Sequence, residues 1–109
     1  MELVIHLANH GEFTQLNVEG HLDSQNIHLM ENALINATRQ GNHNIVIDCT
    51  HLVSINGDGL KLLFQTQAEL AGEFDLSLQN VKDDVADLME LSGVTYFIKV
   101  QTQPEQFSA

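Results

Sequence analysis

Three groups of side chains in this sequence have types and spacings that chemistry could use. The first is Cys49-Thr50-His51, a thiol and an imidazole two residues apart, beside the carboxylate of Asp48. A Cys–His nucleophile needs a third group to orient its base, and a zinc site needs further Cys or His ligands at a recognisable spacing. Neither accompanies this triplet. The second group is His6 and His10, spaced i, i+4. They fall on a strand and a turn rather than a helix, so their rings need not converge; scattered histidines are the expectation, and no metal site is assigned. The third is the run from Asp48 to Leu60, where a β-branched strand gives way to polar residues, apolar Ile55 and then Asn56-Gly57-Asp58-Gly59. A helix start leaves backbone N–H groups unsatisfied, and Asp58 can accept from them. Glycines there permit backbone angles that other residues resist and let a partner approach closely. This junction, not a catalytic group, is the expected working surface; no enzymatic activity and no cofactor are expected.

The elements that must position the junction follow from periodicity. Leu3–Leu7 and Phe13–Val18 are β-type runs joined by Asn9-His10-Gly11, a turn-forming cluster, and should pair as a hairpin. Gly20 then breaks the chain, and Asp23 or Ser24 can cap a helix that ends at Gly41, with Ile27, Met30, Leu34 and Ala37 on its apolar stripe. Ile45-Val46-Ile47 is a continuous β-branched run of the kind covered on both faces, and it ends in a polar loop. Asp58 or its neighbour begins a second helix, with Leu60, Leu63, Phe64 and Gln67 at helical spacing and Gly72 as its stop. Phe74, Leu76 and Leu78 alternate with polar residues, as in a strand with one wet face. A third helix spans about Lys82–Ser92, with Val85, Leu88, Met89 and Ser92 facing inward, and Tyr96–Val100 forms the last strand. The segment from Pro104 to Ala109 reads as a short closing turn or a frayed tail. The order ββαβαβαβ predicts a mostly parallel or mixed sheet with packed helices in one domain, 1–109.

Bulk properties exclude several function classes. A chain of 109 residues is the size of one domain, and 43% apolar content suits a packed core rather than disorder. Fifteen Asp and Glu oppose only Arg39, Lys61, Lys82 and Lys99, a formal charge of -11. That field repels phosphate backbones and anionic lipid, so neither nucleic acid nor a membrane surface is an expected partner, whereas a protein with a basic or mixed patch is. Lone Cys49 allows no disulfide framework. The opening Met-Glu-Leu-Val-Ile-His-Leu-Ala lacks a basic start and reads as a strand rather than a signal peptide, and no apolar run approaches the ~20 residues that span a bilayer. The cytoplasm is the expected location.

Asp48 at a strand end also fits a receiver-type phosphorelay domain superficially. That scheme needs an acid pair after the first strand and a Lys after the last, around a divalent ion. The first strand offers no such pair, and Asp83-Asp84 starts the third helix, where the helix dipole is sufficient explanation. The receiver reading fails.

The junction instead resembles the signature of the STAS domain, named for sulfate transporters and anti-sigma factor antagonists: a hydrophobic strand, Asp-Leu-Ser, a spaced apolar pair, then Ile-Asp-Ser-Ser-Gly-Leu and a helix. Asp48-Cys49-Thr50 matches the first element, Leu52 and Ile55 the apolar positions, and Gly59-Leu60 the close. Gly20-His21-Leu22-Asp23, Leu78-Gln79-Asn80-Val81 and Leu91-Ser92-Gly93-Val94 match further elements in order, so the resemblance covers nearly the whole chain. It implies an α/β fold, a STAS-like mixed β-sheet of four to five strands with helices packed on one side, and a function in protein binding.

In the antagonist branch the domain binds a kinase-type anti-sigma factor (a GHKL ATPase), which ends the interaction by phosphorylating the second Ser of the Ser-Ser pair. Here those positions are Gly57 and Asp58, preceded by Asn56 in place of Asp. Asp58 has no hydroxyl, so that off-switch cannot operate there. Asp58 is then either a fixed imitation of phosphoserine, with about one charge against the phosphate's ~1.5 to 2, or a helix cap that contacts a partner adapted to it, worth roughly 0.3 to 1 kcal/mol at the helix start. The second reading is preferred, because a domain locked in its unbound form would have little use. Thr50 and Ser54 are nearby hydroxyls that could carry another modification. The resemblance thus points to an anti-sigma-antagonist-like interaction module docking through Asn56, Gly57, Asp58, Gly59, Leu60 and Leu63. Its alternatives are a STAS subunit of a transporter (ABC lipid transport type) or stress-signalling assembly, and a small-ligand or nucleotide sensor, for which no phosphate-cradling Gly-Lys motif is present.

Overall fold

The computed structural model describes residues 2–104; the expected closing turn or tail lies, beyond Pro104, outside them. Leu3–Asn9 (β1) and Phe13–Leu22 (β2) pair antiparallel, and Ile27–Thr38 (α1), Asn44–Ile55 (β3), Gly57–Leu70 (α2), Asp75–Val81 (β4), Asp83–Ser92 (α3) and Lys99–Thr102 (β5) follow. The five strands lie in sequence order, with β2 to β5 parallel. Each parallel step is made by a crossover helix, and right-handed crossovers advancing in one direction along a sheet place every helix on the same face. Burial follows: Leu16, Val18, Ile45, Ile47, Leu76 and Leu78 are at most 5% exposed, while alternate residues Gln15, Asn17, Val46 and Ser77 are only half-buried. The β-branched run in β3 therefore has one covered face, not two; the second side chain of the triplet, Val46, looks onto the open side.

The expected polar loop after Ile47 is strand. β3 continues to Ile55, and its partner register slips between Asn17 and Glu19 and again between Gly20 and His21. These bulges change the spacing of buried residues from two (Ile45, Ile47, Cys49) to three (Cys49, Leu52, Ile55), so alternation disappears from the sequence although pairing persists. Gly20 likewise does not end β2. It has φ 107 within the strand, and a Cβ there would strike the backbone carbonyl of Glu2, just before β1, so only glycine lets the edge strand approach.

Helix starts also differ from expectation. α1 begins after Asn26, not Asp23 or Ser24; Asn26 is buried and turns its side chain back into the β2–α1 loop, accepting from Asp23 N (3.0 Å) and donating to His21 O (2.7 Å). Met30, Leu34 and Ala37 are buried as the stripe requires. In α2 the buried positions are Gly59, Leu62, Leu63 and Thr66, with Leu60, Phe64 and Gln67 only half-buried. α3 buries Val85 and Met89, spaced i, i+4, and leaves Leu88 and Ser92 exposed. After Gly93 (φ 91) a 3-10 turn, Val94–Tyr96, replaces the start of the expected last strand; Val94 and Ile98 are buried four residues apart, which is helical rather than strand spacing.

Candidate functional site

The carboxyl ends of β2 and β3 lie side by side, where open parallel sheets present their loops. Asn56 N donates to Leu22 O (3.1 Å), and His21 Nδ1 and Ser54 Oγ stand 2.5 Å apart, so the β2–α1 and β3–α2 loops are tied together. Asn56 is the N-cap of α2: its Oδ1 accepts from Gly59 N at 3.1 Å, and its carbonyl accepts from Leu60 N. Asp58, expected as the cap, sits one residue inside the first turn with an exposed carboxylate. Asn56 holds the extended N-cap position from which a side-chain oxygen reaches the Gly59 N–H, so Asp58 is not needed as the cap.

The two glycines serve different purposes, and neither takes a left-handed angle. Gly59 is buried, and a Cβ there would stand 2.6 Å from Ile55 Cγ1 and 3.1 Å from Leu22 Cγ; its small size lets the helix start rest on the strand ends. At Gly57 a Cβ would meet nothing within 4 Å. Of the expected docking residues, Asn56, Gly57 and Asp58 are exposed and contiguous, Leu60 is half-buried, and Gly59 and Leu63 are buried. Leu63, at 2% exposure, holds the helix in place and cannot itself touch a partner.

The other groups do not assemble for catalysis. Cys49 is buried in the core, and burial, reinforced by the neighbouring Asp48 carboxylate, pushes its thiol up to about 12, so it stays a protonated, unreactive core side chain. His51 is exposed, one bulged residue away. Thr50 donates its hydroxyl to Asp48 Oδ1 (2.6 Å), which also takes Thr50 N (2.9 Å). His6 faces Glu19 at 3.9 Å, and no cluster of three or more His, Cys, Asp or Glu able to hold a metal occurs among the described residues. No helix among them is long and apolar enough to cross a membrane. Sequence reading missed the His21–Ser54 and Asn26 links; the Gly20-His21-Leu22-Asp23 element marked the right loop but not its pairing with Ser54, which β2–β3 register alone creates.

Comparisons agree with this geometry. A family model described as "Mlab, STAS domain" matches residues 5–100. No curated protein sequence matches the chain. Among solved structures, an anti-sigma factor antagonist from Mycobacterium paratuberculosis superposes with TM-score 0.84 at 17% identity, over 96% of this chain and 90% of that one. The anti-sigma factor antagonist SpoIIAA of Bacillus in its unphosphorylated form gives 0.74 at 19% identity, over 95% and 93%. A serine-to-glutamate variant of RsbS from Moorella thermoacetica gives 0.71 at 21% identity, over 93% and 88%.

Proposed function

This chain belongs to the STAS domain family, and from that premise we propose that it is a non-enzymatic protein-interaction module that docks a regulatory partner through the exposed start of α2. The observation that carries the proposal is the Asn56-Gly57-Asp58 surface: capped by its own Asn56, seated by Gly59, and presenting a carboxylate that makes no ion pair among the described residues. A carboxylate held at a helix N-terminus and left without a partner is a point of recognition for a basic group on another protein. Anti-sigma factor antagonists among the structural neighbours favour a partner of the kinase-type anti-sigma factor class. Asp58 stands where that class would phosphorylate serine, and Gly57 beside it also lacks a hydroxyl, so binding is not switched off by phosphoryl transfer at either position.

A second reading, a STAS subunit of a transporter assembly of the ABC lipid-transport type, draws support from the Mlab description of the matching family model and from this same absence of hydroxyls. Both readings use the α2 start, and genes adjacent to this one separate them: a sigma factor and kinase, or a transporter ATPase. Charge reversal by Asp58→Lys leaves the fold intact and weakens capture of the cognate partner at least tenfold in a pull-down. Unchanged capture rejects the surface. In the same assay Asp58→Ser distinguishes an adapted contact, which weakens, from a fixed off-signal, which gains both binding and ATP-dependent phosphorylation.

A further inference from the structure

Large apolar side chains gather in the open at the end of α3. Leu88 is 45% exposed, Leu91 85%, Tyr96 86% and Phe97 62%. The aromatic ones are joined rather than scattered: the rings of Phe64 and Tyr96 flank Gly93, each within 4 Å of where its Cβ would stand, and Phe97 packs edge-on against Phe64 with centroids 5.7 Å apart. Leu88 and Leu91, spaced i, i+3, share the outer side of the last turns of α3. On the same helix Asp83, Asp84, Asp87 and Glu90 are all exposed, and none of them forms an ion pair among the described residues. The core does not use this surface, since α3 seats itself on the sheet through Val85 and Met89.

We propose that the outer face of α3 and the following 3-10 turn form a second docking surface, for a basic amphipathic segment of a partner protein. Its apolar side would cover Leu88, Leu91 and Tyr96, and its Lys or Arg residues would meet Asp87 and Glu90. Charge selects this occupant. A second copy of the chain would bring the same carboxylates and a formal charge of -11 against them. An anionic bilayer would be repelled in the same way, and a row of acids beside the apolar side chains opposes insertion into any bilayer. A cationic amphipathic helix satisfies both the apolar and the acidic components at once. This surface does not depend on the reading of the α2 start.

The test is titration of the full-length, isotope-labelled chain with a synthetic Leu/Lys peptide that places leucines at i, i+3, i+4 and i+7. A peptide of identical composition with scrambled order is the control. The expected result is chemical-shift change centred on residues 84–97, affinity at least tenfold above the scrambled peptide, and a tenfold loss in Leu91→Ser/Tyr96→Ser, whose altered side chains lie outside the core. Asp58→Lys binds the patterned peptide as well as the unaltered chain does, which keeps the result separate from that of the α2 surface. Equal binding of the scrambled peptide, shifts spread over the acidic surface or centred on 56–60, co-sedimentation with phosphatidylcholine or phosphatidylglycerol vesicles, or dimerisation through this patch would each overturn the proposal.

Discussion

Two strand-to-helix joints of this protein solve the same backbone problem in opposite ways. Where β3 enters α2, Asn56 spends its side chain on Gly59 N and buried Gly59 lies flat on Ile55 and Leu22. Where β4 enters α3, the N-cap Lys82 makes no side-chain cap hydrogen bond; Asp83 and Asp84 occupy the first turn, and Asp84 Oδ1 accepts from Val85 N at 2.9 Å. At the second joint the acids serve the helix itself, through one N–H and through the dipole. At the first a neutral side chain completes the cap, and the acid beside it is left over. An acid that the fold does not need is available for a partner, and this separates Asp58 from Asp84 although both occupy a first helical turn.

The largest effect that tests this contrast is steric. Gly59→Ala is expected to cost about 1–3 kcal/mol, because the added methyl meets the inner part of Ile55 and the branch carbon of Leu22, neither of which can swing aside as a flexible tip would. The roughly 1 kcal/mol helix-propensity gain of alanine does not fully offset that cost. Gly57→Ala, in open space, is neutral or slightly stabilising, and urea unfolding of the two variants side by side measures the difference. Equal stabilities would mean that α2 is not seated by Gly59.

Next in size is the cap. Asn56→Ala lowers stability by about 1 kcal/mol through loss of the bond to Gly59 N, whereas Lys82→Ala at the other joint stays within about 0.5 kcal/mol. Thermal denaturation of both variants decides whether the two joints differ as their hydrogen bonds do.

The smallest effect belongs to the acid itself. Asp58→Asn costs no more than roughly 0.3–1 kcal/mol of dipole stabilisation, and less as salt rises. A salt-independent loss as large as that of Asn56→Ala would make Asp58 a structural residue and erase its difference from Asp84.

Some of this was legible in the residues. The order of elements, the α1 stripe of Met30, Leu34 and Ala37, and the glycine that ends α3 depend on local periodicity and backbone preference, which a sequence carries directly. The resemblance placed the junction on α2. The second half of β3 was not legible: two bulges moved its buried residues to a spacing of three, and polar Asp48, Thr50 and Ser54 between them imitate a loop. Nor was the cap, since Asn56 and Asp58 are both good N-cap residues and only the point at which the strand ends selects one.

By itself, then, the sequence determined the αβ alternation, the acidity and the absence of hydroxyls at positions 57 and 58, because these are properties of single residues and short periods. Tertiary structure decided which residues of the junction face outward. Leu63 and Gly59 went to the core, Asn56 to the backbone and Asp58 to solvent, because the rotation of α2 is set by contact with Leu22, a residue distant in sequence that strand pairing brings alongside Ile55. The same packing left Leu88, Leu91 and Tyr96 outside, since α3 is short enough for Val85 and Met89 to satisfy its contact with the sheet.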